Sequence, residues 1–245
     1  MCVTFSAKSD KGLRRSSNED SYGYHISEDG GRSFFIVADG MGGHNAGEEA
    51  SRIAVEICLN RAKSCDAPND AEQLAFFAKE TLELANAAIM ERAGESPSYN
   101  GMGTTAVFCI VTGGSVVVAN VGDSRAYLVA PKGCRQLTVD HSLVEDLVRG
   151  GYLDRDAAMQ HPDRNLITKA LGSQENEEAD TFVYAYEAGD TLILCSDGLN
   201  SMVDDSVICK IVKKGPDPET ICANLTEQAK KNGGADNITV IAAVL

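Results

Sequence analysis

The chain has 245 residues, 43% of them hydrophobic and 24% charged, which suits one sizeable globular domain or two small ones and argues against a disordered chain. Its formal net charge of -14 argues against non-specific binding to nucleic acid or to an anionic membrane. The opening MCVTFSAKSDKG has no sustained apolar stretch of a signal peptide and no apolar run reaches bilayer length, so a cytoplasmic protein is expected.

In chain order, a β-rich segment runs from Cys2 to Asp39, broken by a polar stretch near Arg14 to Asp20 and by Glu28-Asp29-Gly30-Gly31. Its last apolar run, Phe34-Phe35-Ile36-Val37-Ala38, stops at Asp39, and Gly40, Gly42, Gly43, His44 and Gly47 follow. Ala50, Ile53, Ala54, Ile57 and Cys58 then form an apolar stripe at helical spacing. Leu74, Phe77, Ala78, Leu82, Ala85 and Ile89 form another. A second β-rich segment spans Thr104 to Leu137, where SVVVANV and SRAYLVA flank Gly122-Asp123 and read as a hairpin. The region from Asp140 to Leu171 is polar, with short helical pieces and no strand signal, an excursion from the core. A third β-rich segment covers Thr181 to Ser196. Short helices are expected around Val207 to Val212 and Ile221 to Ala229, and a closing strand lies within Asn237 to Leu245. Clustered strands with hairpin signals, and helices in pairs, predict an α+β fold with antiparallel sheets.

The eight cysteines include no CxxC, and several stand inside apolar runs. Buried free thiols are therefore expected in place of a zinc site or a disulfide framework.

Four aspartates share one local grammar. Asp39 and Asp197 each end an apolar strand and precede a glycine. Asp123 sits at a predicted turn, and Asp236 just before the last strand. A strand end holds a carboxylate rigidly, and neighbouring glycines let backbone and ligand approach closely. That suits a hard divalent cation with oxygen ligands. Asp-Gly is also ordinary turn chemistry, and spacing alone does not bring these positions together in space.

Eight segments in fixed order carry a resemblance. They are Gly12-Leu13-Arg14-Arg15-Ser16-Ser17-Asn18-Glu19-Asp20, Val37-Ala38-Asp39-Gly40-Met41-Gly42-Gly43-His44, Gly103-Thr104-Thr105-Ala106 and Val121-Gly122-Asp123-Ser124-Arg125-Ala126-Tyr127. Then come Leu137-Thr138-Val139-Asp140-His141-Ser142, Ile167-Thr168-Lys169-Ala170-Leu171-Gly172, Leu194-Cys195-Ser196-Asp197-Gly198-Leu199 and Ala235-Asp236-Asn237-Ile238-Thr239. Over essentially its whole length the chain resembles the PPM, or type 2C, family of metal-dependent protein serine/threonine phosphatases in its compact bacterial form.

The resemblance implies two antiparallel sheets packed face to face between helix pairs, an α-β-β-α sandwich. It makes residues 1–245 one catalytic domain with a flap at about 140–171. It implies that Asp39 bridges two ions, Mg2+ or Mn2+, that the Gly40 carbonyl joins one, and that Asp197 and Asp236 hold the other. Asp123 with Asp197 matches a third, weaker site. Glu19 and Asp20 match outer acids that orient water, and Arg15 matches the arginine that grips phosphate. Paired cations would make hydroxide available near neutral pH for in-line attack on a phosphoserine or phosphothreonine ester. Animal members carry a histidine where this chain has Met41, so that general-acid role does not transfer. His44 matches a loop histidine of the bacterial group, which either assists the leaving group or only makes hydrogen bonds. His141 and His161 read as structural. The implied partners are phosphorylated proteins, substrates of a cytosolic serine/threonine kinase, and the protein is expected to act as a monomer. Two rival readings stay open: a regulator without catalysis, and a phosphohydrolase of small molecules.

Overall fold

The computed structural model describes residues 3–42, 46–67, 70–175 and 177–245. Three strands come first: β1 (Thr4–Asp10), β2 (Asp20–Ile26) and β3 (Ser33–Met41). Two long helices follow, α1 (Ala46–Lys63) and α2 (Ala71–Glu95). The middle of the chain holds β4 (Gly103–Thr104), β5 (Ala106–Val111), β6 (Ser115–Val121), β7 (Arg125–Ala130) and β8 (Gly133–Gln136). The polar excursion contains α3 (Leu143–Arg149) and α4 (Arg155–Met159). The chain ends with β9 (Asp180–Ala185), β10 (Thr191–Cys195), α5 (Asp197–Asn200), α6 (Asp205–Lys214), α7 (Pro218–Lys231) and β11 (Ile238–Val244).

All strand pairings are antiparallel. One sheet has the order β1-β11-β10-β7-β8; the other has β2-β3-β5-β6-β9, with β4 paired to β3. The period of two along a strand explains the layers. On β3, Phe35 and Val37 face the opposite sheet and meet Leu192, Leu194, Ile241 and Ala243. Phe34 and Ile36 face outward and are covered by Ala50, Ala54 and Cys58 of α1 and by Leu74, Ala78, Leu82 and Ala85 of α2. On the far side, Ile193, Val240 and Ala242 lie under Ile208 and Val212 of α6 and Leu225 and Ala229 of α7. Three apolar layers thus separate four structural ones, the expected α-β-β-α sandwich. Strands covered on both faces read as unbroken apolar runs such as AVFCIV, which is why alternation is weak in the sequence. Aspartate side chains cap three of the described helices: Asp70 accepts from the N–H groups of Glu72 and Gln73, Asp154 from that of Ala157, and Asp217 from that of Thr220. Among the described residues, no helix is long and apolar enough to cross a membrane.

Two expectations are corrected. Gly122-Asp123 is not a hairpin turn. β6 pairs with β5 and β9, whereas β7 pairs with β10 and β8, so the chain crosses from one sheet to the other here. The actual hairpin before it turns at Gly113-Gly114, between β5 and β6. A short Gly-Asp link serves both connections equally well; the choice lies with partner strands far along the chain. The cysteines are not all free thiols either. Cys134 on β8 is bonded to Cys209 on α6, with a Cα–Cα distance of 6.0 Å across a sequence separation of 75. Cys58, Cys109, Cys195 and Cys222 are buried free thiols, as expected, and Cys65 is half-buried.

A disulfide closing a loop of this length stabilises a domain by about 2–4 kcal/mol, mainly through the unfolded chain. Reduction should therefore lower the denaturation midpoint, and Cys134→Ser should do the same without reductant. Thiol titration of the unfolded protein before and after reduction checks the bond; an unchanged thiol count would refute it.

Candidate metal centre

The cross-strand register brings the first pair of carboxylates together. Asp20 opens β2 and lies directly opposite Asp39 on β3. Asp39 has the same parity as Phe35 and Val37, so it belongs to the layer between the sheets, at its open end. Like charges facing each other across a ladder are destabilising. Asp123, Asp197 and Asp236 arrive at the same end, from the β6–β7 crossover, the β10–α5 junction and the entry to β11.

Their electrostatics show how close they stand. Burial pushes the Asp39 carboxyl well above its ordinary value, and the charges of Asp20, Asp197, Asp123 and Asp236 push it further. Burial raises Asp20 to about 7, aided by Asp197 and Asp236. Asp123 is raised to about 8 by burial and by the charges of Asp197 and Asp140. Asp197 is also raised by burial and by Asp236, and its carboxyl is in hydrogen-bonding reach of Asp39. One oxygen each of Asp20 (Oδ1) and Asp197 (Oδ1) is buried with no hydrogen-bond partner. Buried carboxylates that repel one another and keep orphaned oxygens form a donor set that could hold hard divalent cations. Among the described residues, no group of three or more His, Cys, Asp or Glu side chains is placed to hold a metal ion by itself. Backbone carbonyls such as that of Gly40, and waters, would complete the coordination, as Mg2+ in particular requires.

The glycines answer to crowding. A Cβ on Gly40 would lie 2.1 Å from the Gly47 carbonyl oxygen and 2.6 Å from that of Glu19. A Cβ on Gly47 would lie 2.2 Å from Glu19 Oε2, and one on Gly198 would lie 1.9 Å from the Asn237 carbonyl oxygen. The end of β3, the start of α1 and the loop before β2 therefore touch backbone to backbone. So do α5 and the entry to β11.

Arg15 is exposed, and its Nη2 donates to Asp236 Oδ2 at 2.7 Å. Its guanidinium also feels Asp39 and Glu19, so it stands at the rim of the cluster. Glu19 is half-buried beside it, and burial raises its carboxyl. His44 lies outside the described residues.

Several supporting residues carried no assigned role in the sequence. The Asn237 Oδ1 accepts from the Glu19 N–H at 2.8 Å, and its Nδ2 donates to the carbonyls of Lys11 and Ser17. One side chain thus staples the loop bearing Arg15 and Glu19 to the residue after Asp236. Ser196 Oγ donates to Asp20 Oδ2 at 2.7 Å and accepts from the Thr239 N–H. Thr105 Oγ1 accepts from the Asp39 N–H and contacts Ser124 Oγ. Each is a sequence neighbour of one of the clustered aspartates, or of the Gly40-Thr104 pairing, and adjacency was the available signal. Arg125 has no such signal: it grips Asp140 through Nε and Nη2 and reaches Asp205 through Nη1.

The geometry has counterparts in known proteins. The model of the family described as Protein phosphatase 2C matches residues 13–215. This chain belongs to the protein phosphatase 2C family. Among its relatives is the serine/threonine phosphatase stp of Listeria monocytogenes, 41% identical over 234 residues, covering 96% of this chain and 92% of that one. Protein phosphatase PhpP of Streptococcus pneumoniae is 37% identical over 241 residues, covering 97% and 96%. The structure of Stp1 from Staphylococcus aureus superposes with a TM-score of 0.93 at 34% identity, covering 100% of this chain and 96% of that chain. The catalytic domain of PstP, solved in complex with two manganese ions, superposes with a TM-score of 0.85 at 32% identity, covering 99% and 97%. This 2C-type protein is accordingly an enzyme, a metal-dependent protein serine/threonine phosphatase.

The raised carboxyls set the pH response of the metal-free phosphatase. Unfolded aspartates titrate near 3.8, whereas Asp20 and Asp123 in the fold titrate at about 7 and about 8. Between those values the folded state holds more protons, so stability falls as pH rises. In EDTA, urea midpoints should decline from about pH 5 to about pH 8, and added Mn2+ should restore more at pH 8 than at pH 5. Metal-free stability that rises across this window would contradict the clustering.

Proposed function

We propose that the cluster at the open end of the sandwich is the catalytic centre and that its cations are Mg2+ or Mn2+. In this reading Asp39, the Gly40 carbonyl, Asp197 and Asp236 would hold two ions, and Asp123 with Asp197 would hold a weaker third. The orphaned oxygens of Asp20 and Asp197 amid like charges carry the reading. Bound cations would supply Lewis acidity, bringing a water's pKa near neutrality and offsetting charge on the phosphoryl oxygens.

The protein's own groups do the rest. Asp20 and Glu19 accept hydrogen bonds from water and orient it. Ser196 keeps Asp20 aimed, since its hydroxyl occupies Oδ2 and leaves Oδ1 for the site. Arg15 pairs with Asp236 at the rim. The planar fork of Arg15 suits two phosphate oxygens, and a cation held by Asp236 would leave that fork to the phosphate. Residues 140–171 form a flap beside this centre and shape the choice of substrate, and the chain acts as one catalytic domain. Substrates are phosphoserine and phosphothreonine proteins made by a serine/threonine kinase in the cytoplasm, and the enzyme works there in signalling as a monomer. His44 is a candidate contact to the leaving group.

Hydrolysis of p-nitrophenyl phosphate should require Mn2+ or Mg2+ and be abolished by EDTA. Activity that persists without metal would overturn the reading. Asp39→Asn should cut turnover by about a hundredfold or more while keeping the fold, because an electrostatic group at the reacting centre is lost. Wild-type turnover in that variant would remove Asp39 from the centre. Arg15→Ala deletes charge-assisted hydrogen bonds each worth about 1.5–3 kcal/mol, so kcat/KM should fall about tenfold to hundredfold, mostly through KM. A phosphopeptide panel run beside small phosphate esters separates a protein phosphatase from a general phosphohydrolase.

A further inference from the structure

Asp123 differs from Asp20, Asp39 and Asp197 in its support. Asp39 lies on a strand and Asp197 opens a helix, but Asp123 follows Gly122 in an irregular crossover at φ +100. A peptide in that conformation needs external partners to hold one orientation.

Gly122 has them on both sides. Its N–H donates to His141 Nδ1 at 3.0 Å. Its carbonyl accepts from the His141 N–H at 3.0 Å and from Asn120 Nδ2 at 3.2 Å. Beneath it the fit is tight: a Cβ would lie 2.6 Å from Thr105 Cγ2, and Thr105 Oγ1 is the acceptor for the Asp39 N–H.

His141 is itself pinned. It is only 6% exposed. An Nδ1 that accepts from a backbone N–H carries no proton, so the ring proton sits on Nε2. Nε2 lies 3.3 Å from Asp180 Oδ2, off the line of a full hydrogen bond, and Asp180 Oδ1 is 3.7 Å from Lys169 Nζ. The His141 carbonyl accepts from the Thr168 N–H at 2.8 Å. Next to it Ser142 bridges Ile167, and the Leu143 N–H donates to the Leu166 carbonyl. The two ends of the 140–171 segment are thus tied together at His141. One imidazole joins the turn bearing Asp123, the root of that segment and the start of β9.

We propose that His141 is a positioning residue for Asp123: Nδ1 fixes the Gly122 peptide, and thereby how well the Asp123 carboxylate holds a divalent cation. It also links that carboxylate to the root of the 140–171 segment, so displacement of the root loosens the same ion. The proposal rests on the reading of Asp123 as a ligand to the weakest ion.

The test measures Mn2+ binding directly, by calorimetric titration of the whole protein and by counting free Mn2+ by electron paramagnetic resonance. Asp123→Asn should remove the weakest ion. His141→Gln places its amide near Nε2 and leaves Gly122 without an acceptor. It should weaken that ion about tenfold or more, the usual effect of losing an outer-sphere partner, and spare the tighter ones. His141→Asn keeps an acceptor near Nδ1 and should bind within about threefold of wild type, because the bond to Gly122 survives. Asp180→Ala, at a half-exposed position, should give a smaller weakening and replaces His141→Gln if that variant does not fold. The proposal is overturned if Asp123→Asn loses an ion while His141→Gln, or Asp180→Ala in its place, binds as wild type does. It is overturned as well if both His141 variants weaken every ion equally, the mark of a general packing role. If Asp123→Asn keeps every ion, the ligand reading of Asp123 fails, and this inference fails with it.

Discussion

Carboxylates gathered in a poorly solvated space repel one another, and this fold brings several to one end of a β-sandwich. Asp20 faces Asp39 across a strand pair, Asp197 comes within hydrogen-bonding reach of Asp39, and Asp123 and Asp236 add their fields. Such an arrangement stands only if the framework around it is rigid, and the framework shows the signs. Three apolar layers run the length of the sandwich up to the carboxylates. Glycines at 40, 47 and 198 let backbones meet where any side chain would clash. Small polar groups, Ser196, Thr105 and Asn237, then fix individual carboxylates and loops. A family of metal-dependent enzymes uses this frame for phosphoester hydrolysis, where strong fields from a preorganised site lower a barrier.

Much of this was legible in the sequence, for identifiable reasons. Asp39, Asp197 and Asp236 sit where apolar runs begin or end, and such punctuation depends only on near neighbours. The stripes at Ala50 to Cys58 and Leu74 to Ile89 gave α1 and α2, because helical spacing is local too. The misreadings have one cause in common. Gly122-Asp123 is locally indistinguishable from a hairpin turn, and the strands that separate β6 from β7 lie some 60 residues further on. Cys134 and Cys209 follow no spacing rule; a β-strand and a helix from different parts of the chain bring them together. His141 reads as structural, but its polar neighbourhood does not show which groups it holds. Its ring meets the Gly122 N–H and Asp180, which come from the crossover and from β9.

Both sheets contribute to the centre. Asp20 and Asp39 come from the sheet backed by α1 and α2, whereas Asp197 and Asp236 flank strands of the sheet backed by α6 and α7. Asp123 lies on the link between them. The spacing of the carboxylates is therefore the spacing of the sheets, set by the side chains of Phe35, Val37, Leu194 and Ile241 in the shared layer. A core substitution in that layer acts on the chemistry at a distance, through geometry and not through charge.

The strand order has a temporal side. β1 reaches its sheet only through β11, the last strand of the chain, which also separates it from β10. That pairing joins segments very far apart in sequence, so it forms slowly compared with a local hairpin such as β5–β6. Asp236 stands at the entry to β11, so a molecule in which this strand has come away also loses one carboxylate of the cluster.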